Sequence, residues 1–389
     1  MFKRPKLPLT ASAPLNSQPF WIDHQQDLDT WVSHAEAAPW LGVDTEFERV
    51  RTFFPRFCLL QMSTPEKAVC IDPLAELDWD GVRNLLTQTR PTKIFHAARQ
   101  DLEVLHNYLS VMPANVFDTQ IASAFCGHGE QVGYAHLVKE ICGVSLPKAF
   151  TRTPWCRRPL SEEEIQYALD DVHYLGILYE TLSAELQGRG RASWQSDDCA
   201  ALVSDQVLQK AQRAPIHRVM RACAGMDDAS QSVAAALAKW REDLAREKDR
   251  PREWLLSTDV LVEVARTRPQ NLQALATVPG LEKSILKRRG EELLGVICAS
   301  ETPASDFTRM PKPIRPDAAL KALGNVLWKH LKEVCDHEDI PTSAVARRDE
   351  IRALAAGERH NLRILNGWRR AFIGESLLAL TSQENISRS

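Results

Sequence analysis

The chain has 389 residues, with 48 Lys and Arg against 51 Asp and Glu, for a formal net charge of −3. Near-neutrality excludes a uniformly basic nucleic-acid coat and an acidic disordered tail. A content of 44% hydrophobic and 25% charged residues is that of a globular protein long enough for two or three domains.

The average conceals a split, because residues 1–204 carry a net −8 and residues 205–389 a net +5. An acidic half joined to a basic half points to one part that handles cations and another that attracts a polyanion. No apolar run is long enough to span a bilayer, so no membrane association is expected. Lys3, Arg4 and Lys6 are followed by proline-rich text and not by an apolar stretch, so no secretory leader is expected either. The nine cysteines are scattered without a C-x-x-C pair, which argues against a zinc framework and for reduced thiols in a cytoplasm.

Residues 1–19 read as a flexible N-terminal segment. Trp40 to Phe47, Phe57 to Met62, Ala68 to Asp72 and Thr92 to His96 read as strands, and Trp79 to Leu86 and Asp101 to Leu109 as helices. Strands followed by strand–helix alternation predict a mixed sheet covered by helices. Ser161-Glu162-Glu163-Glu164 is a capping box, with Leu160 and Ile165 placed for a hydrophobic staple, so a helix starts there. Residues 187–212 read as a linker or loose helical hairpin. Beyond them Gly290-Glu291-Glu292-Leu293-Leu294 recurs as Gly374-Glu375-Ser376-Leu377-Leu378. Each copy follows a Trp-containing amphipathic helix (Trp240, Trp328) that ends near a proline (Pro251, Pro341). Two small helical domains joined by the proline-rich stretch from Pro303 to Pro316 are the simplest account.

Three acidic motifs carry the chemistry. Strand alternation points Asp44 and Glu46 to one side and Thr45 to the other, and two like charges at the end of an apolar strand repel unless one protonates or a cation lies between them. Asp101 falls in the first turn of a helix, where the macrodipole alone accounts for an acid. Tyr167 and Asp171 share a face at the flank of the buried stripe, while Asp170 points to water. Taken singly, each has an ordinary explanation as exposed or capping polarity.

In this order and context, Asp44, Glu46, Asp101, Tyr167 and Asp171 resemble the tyrosine-bearing branch of the DEDD exonuclease superfamily, and within it the ribonuclease D family. The surrounding text agrees at Asp44-Thr45-Glu46-Phe47, His96-Ala97, Phe117-Asp118-Thr119-Gln120 and Tyr167-x-x-x-Asp171. The helical repeats resemble the helicase-and-RNase-D C-terminal (HRDC) domain in two copies: Trp240-Arg241, Pro251, Pro269 and Gly290-Glu291 in the first, Asn366 to Arg370 and Gly374-Glu375 in the second. The resemblance runs from about residue 20 to about residue 381.

It implies an α/β exonuclease domain with a ribonuclease H-like mixed sheet over residues 20–205. Two all-α HRDC domains follow at 212–298 and 318–381, separated by a linker at 299–317. Four carboxylates without imidazole or thiolate specify hard oxygen coordination, hence two divalent ions, Mg²⁺ or Mn²⁺, with no zinc and no organic cofactor. By resemblance, Asp44, Glu46 and Asp171 hold one ion, Asp44 bridges to a second with Asp101 acting through water, and Tyr167 orients the attacking water. The implied product is a nucleoside 5′-monophosphate cut from the 3′ end of tRNA precursors or other small structured RNAs by a cytoplasmic monomer.

Secondary expectations concern the substrate groove. Phe47 is placed to stack on a base or to pack in the core. His96 and Gln61 are placed to line the groove or to pack. Arg152, Arg157 and Arg158 are candidates for phosphate contacts or for a solvated loop. Asp118 is a candidate to support the site or to cap the next helix. The basic clusters Lys283, Lys287, Arg288 and Arg289, then Arg347, Arg348, Arg369 and Arg370, are candidates to grip RNA without sequence preference. On this view a chain ending near residue 205 keeps its chemistry and loses affinity for structured RNA. A DNA exonuclease and a silent nucleic-acid-binding scaffold are the alternatives, the second requiring a missing acid.

Overall fold

The computed structural model describes residues 20–147, 153–303, 307–312, 318–360 and 362–386. The expected flexible segment at 1–19, part of the 299–317 linker, and Arg152 lie outside them. The chain divides into two compact units: Phe57–Val203 groups with the residues up to Glu48 and those from Pro316 onward, while Ser204–Arg315 groups with Arg49–Arg56.

The first unit is built on a six-stranded sheet: β1 (Phe20–Ile22), β2 (Trp40–Glu48), β3 (Arg56–Ser63), β4 (Ala68–Ile71), β5 (Thr92–Phe95) and β6 (Val116–Asp118), in the order β1-β4-β3-β2-β5-β6. β2–β5 and β5–β6 run parallel and β3–β4 antiparallel, so the sheet is mixed, as expected. Helices α1 (Gln25–Glu36), α2 (Asp80–Thr87) and α3 (Arg99–Leu109) cover one face. Their core joins Leu28, Trp31, Val82 and Leu102 to Leu41, Val43, Leu60 and Met62 of the strands. α4 (Thr119–Phe125), α5 (Tyr134–Cys142), α6 (Glu162–His173), α7 (Leu175–Gly188) and α8 (Ala192–Leu202) complete the exonuclease region. The core beneath them includes Cys70, Ile94, Phe125, Ala168, Leu169 and Val172.

β2 owes its central place to the apolar run Trp40-Leu41-Gly42-Val43, which is buried on both faces. Gly42 is required there, because a Cβ would strike Ser63 Oγ, the group that donates to the Val172 carbonyl of α6 at 2.9 Å. The close approach brings α6 over β2. α6 begins at the expected capping box: Ser161 Oγ accepts from the Glu164 N–H and Glu164 returns to the Ser161 N–H.

The second unit begins with α9 (Asp205–Ala222), so 187–212 is helical and not a linker. α10 (Asp228–Glu247) packs on α11 (Arg252–Leu255), α12 (Thr258–Thr267) and α14 (Lys283–Ser300), with α13 (Leu272–Ala276) against α14. Phe53, in the segment that precedes β3, is seated here: Asp249 accepts the N–H groups of Phe53 and Phe54, and the Arg246 and Arg252 guanidiniums lie over the Phe53 ring.

The C-terminal helices α15 (Ala318–His337), α16 (Thr342–Val345), α17 (Arg348–Ala355), α18 (Gly367–Arg369) and α19 (Glu375–Ile386) belong to the first unit. Trp368 stacks on Trp194 of α8 at 4.4 Å and 8°, and Arg369 forms two bonds of 2.7 and 2.6 Å to Asp198. Leu323, Leu327, Leu331 and Ile373 continue the core that holds Phe125 and Leu186. Among the described residues no helix is long and apolar enough to cross a membrane.

The expectation of reduced thiols fails at one pair, since Cys58 and Cys156 are joined by a disulfide. Their sequence separation of 98 hides the contact, which arises only when β3 meets the segment leading into α6.

Candidate active site

The sheet's parallel strands β2, β5 and β6 deliver their C-terminal ends to one edge, where open α/β sheets place their ligands. Asp44 and Glu46 lie in the C-terminal half of β2. The turn after β5 opens α3, which supplies Asp101, and α6 supplies Tyr167 and Asp171.

Ligand oxygens of Asp44, Glu46 and Asp171 all lie within 4.8 Å of one another. Asp101 stands outside this trio, on the α3 side, where the buried Thr45 hydroxyl donates to it at 2.6 Å. The alternation of β2 therefore serves both faces. Burial, with Asp101, Asp171 and Glu46 around it, pushes the Asp44 carboxyl well above the usual range. Burial, then Asp171 and Asp101, lift Glu46 to about 8. Burial lifts Asp101 to about 7 against the opposing Thr45 bond, and burial with Asp170 lifts Asp171 to about 7. Among the described residues no basic side chain pairs with any of these four acids. Half-buried at Asp44, Glu46 and Asp171, buried at Asp101, mutually repelling and without a counter-ion among the described residues, an all-oxygen set of this kind fits hard divalent cations.

The Tyr167 hydroxyl bonds to Asp171, and burial together with Asp171, Glu46 and Asp44 raises its pKa, so it stays protonated. Its ring stacks on buried Trp155, centroids 6.1 Å apart. Sequence reasoning missed Trp155; its signal is a tryptophan six residues ahead of Ser161, the first residue of the capping box.

Asp118 unites the two roles left open for it. Its carboxylate caps α4 through Gln120 and Ile121, and it also accepts from the Ala97 and Ala98 N–H groups at 3.1 and 2.9 Å. It thereby holds the turn that aims Asp101. Ala97 adopts a left-handed φ of 60°, a conformation that needs such support.

The other groove candidates have packing and hydrogen-bond partners of their own. Phe47 is half-buried against the core on the α1–α3 side. His96 bonds Thr119 at 2.9 Å and packs its ring on Tyr134. Gln61 is fully buried. The expectation that Arg157 and Arg158 contact phosphate meets a structural obstacle, because both guanidiniums are already paired. Arg157 binds both oxygens of Glu164, and Arg158 binds both oxygens of Asp72 at 2.7 Å and the Cys58 carbonyl at 2.6 Å.

Residues 19–187 match a family model for a 3′–5′ exonuclease, and residues 230–297 match the HRDC domain. One HRDC domain is found, not the two expected. The chain is 34% identical over 368 residues to ribonuclease D of Gluconacetobacter diazotrophicus, spanning 93% of this chain and 92% of that one. It is equally 34% identical over 383 residues to ribonuclease D of Jannaschia sp., spanning 94% and 96%. The crystal structure of Escherichia coli RNase D, an exoribonuclease involved in structured RNA processing, superposes with a TM-score of 0.82 at 29% identity, over 94% of this chain and 99% of that one. The chain belongs to the ribonuclease D family and is a 3′–5′ exoribonuclease.

Proposed function

We propose that the chain trims the 3′ ends of tRNA precursors and other small structured RNAs by two-metal-ion hydrolysis, releasing nucleoside 5′-monophosphates. The observation that carries this reading is the cluster of Asp44, Glu46 and Asp171 oxygens within 4.8 Å, without a basic partner among the described residues. Asp44, Glu46 and Asp171 would hold one divalent ion, Mg²⁺ or Mn²⁺, and Asp44 with Asp101 would hold a second. When bound, the ions supply Lewis acidity toward the attacking water and charge balance for the displaced oxygen. Tyr167, kept protonated, donates to and orients that water but does not take its proton.

Small structured RNA as substrate is supported by likeness to the Escherichia coli enzyme. A monomer suffices, since one chain supplies every acid, and the cytoplasm is where such precursors occur. Exposed Lys283, Lys287 and Arg288 on α14 are left to hold the RNA backbone. We read residues 318–381 as a second, divergent HRDC copy. Its support is parallel order: α15 packs on α16, α17 and α19 as α10 packs on α11, α12 and α14, with Pro341 and Pro251 opening the short second helix of each set.

The test is digestion of 3′-labelled RNA and DNA with Mg²⁺ beside Asp44→Asn. The expected result is stepwise release of 5′-monophosphates from RNA and none by the variant. A variant as fast as the parent overturns the assignment of the acids, and preference for DNA overturns that of the substrate.

A further inference from the structure

Cys58 on β3 and Cys156, in the segment that leads into α6, form a disulfide, while the seven other cysteines are free thiols. Contacts connect this bond to the acid cluster. The Cys156 N–H donates to Glu48 at 3.1 Å, which fixes the segment to the end of β2, the strand of Asp44 and Glu46. The next residue toward the N-terminus, Trp155, stacks on Tyr167. Among the described residues the disulfide is the one cross-link between the Trp155 segment and the sheet.

Access is asymmetric. Cys156 is partly exposed and Cys58 is fully buried, so an incoming thiolate meets Cys156 first. We propose that Cys58–Cys156 is a thiol–disulfide exchange site for a dithiol, protein-borne or small, and that its redox state sets the alignment of Tyr167 through Trp155. One thiolate of the dithiol attacks Cys156 Sγ; the Cys58–Cys156 bond breaks, and Cys58 leaves as a thiolate that takes up a proton. The second thiol of the dithiol, as its thiolate, closes on the mixed disulfide, and Cys156 leaves and is protonated. Two electrons and two protons pass to the pair, and the dithiol departs as a disulfide. Cys58 and Cys156 are positioning residues, touching no reacting atom of the RNA. The effect on rate rests on the proposed role of Tyr167, whereas the exchange does not.

The experiment uses the full chain purified without reductant. Thiols are counted in denaturant before and after dithiothreitol, and kcat and KM are measured on 3′-labelled RNA with Mg²⁺ in both states. The expected count rises from seven to nine. The expected kcat of the oxidised enzyme exceeds that of the reduced enzyme by about threefold to tenfold, with KM unchanged and the difference restored on reoxidation. Cys156→Ser should match the reduced enzyme and ignore dithiothreitol, and Cys58→Ala serves as the second arm should the first fold poorly. Nine thiols before reduction, or a kcat indifferent to a count that does change, overturns the proposal. No nuclease activity in any form, with the count still moving from seven to nine, overturns the reading of the acids instead and leaves the exchange supported.

Discussion

Thr45 donates its hydroxyl hydrogen to Asp101 across 2.6 Å in a buried contact. The residue between Asp44 and Glu46 thus holds the acid that stands outside their cluster with Asp171. A bond to a charged acceptor is worth about 1.5–3 kcal/mol. Thr45→Val should therefore lower kcat/KM roughly tenfold, and Thr45→Ser should retain most of it. Equal rates for Thr45→Val and the parent on 3′-labelled RNA would remove Asp101 from the machinery.

Tyr167→Phe deletes the hydroxyl and keeps the ring stack on Trp155. The expected outcome is kcat lowered about 10²-fold, with Mn²⁺ affinity by calorimetry close to that of the parent. A large loss of metal affinity would mean that the hydroxyl serves Asp171 and not the water.

His128 is buried between Glu140 at 3.1 Å and Glu185 at 3.4 Å. Burial opposes its charge, but the two carboxylates outweigh burial and hold its pKa above 6.5. A folded-state pKa raised in this way contributes stability that is fully present below the unfolded value, near 6.5, and is lost as pH rises through the folded one. Tm should accordingly fall as pH is raised above about 6.5, and His128→Gln should flatten that part of the profile. An unchanged profile in the variant would assign the slope to other groups.

Removing the C-terminal helices should do more than weaken RNA binding. Trp194 would lose its stacked partner and Asp198 its guanidinium, and the core shared with Leu323 and Leu327 would open to water. Trp368→Ala alone should cost about 3–5 kcal/mol, measured by urea unfolding of the full chain. A chain ending near residue 205 should be unstable, contrary to the expectation from its charge. A stable and active truncated chain would show that these contacts are dispensable.

How much was legible in the sequence follows from how local each signal is. β2 and α6 were readable because an apolar run and a capping box are written in consecutive residues. β1 and β6 are three residues each and owe their existence to partners in the sheet. Asp118 was legible as a cap, since that geometry spans three residues, but its hold on Ala97 and Ala98 joins different strands. Charge counting misled at Arg369, which is 5% exposed and paired with Asp198. Arg370 pairs with Glu375, and the Arg348 guanidinium lies over the Trp328 ring. The excess of +5 in the second half therefore overstates the charge free to meet RNA.

The stack of Trp368 on Trp194 carries a consequence for synthesis. The helices that cover α8 leave the ribosome after the acids and Tyr167, which all precede residue 172. Until those helices have been made, the first unit lacks one wall of its core.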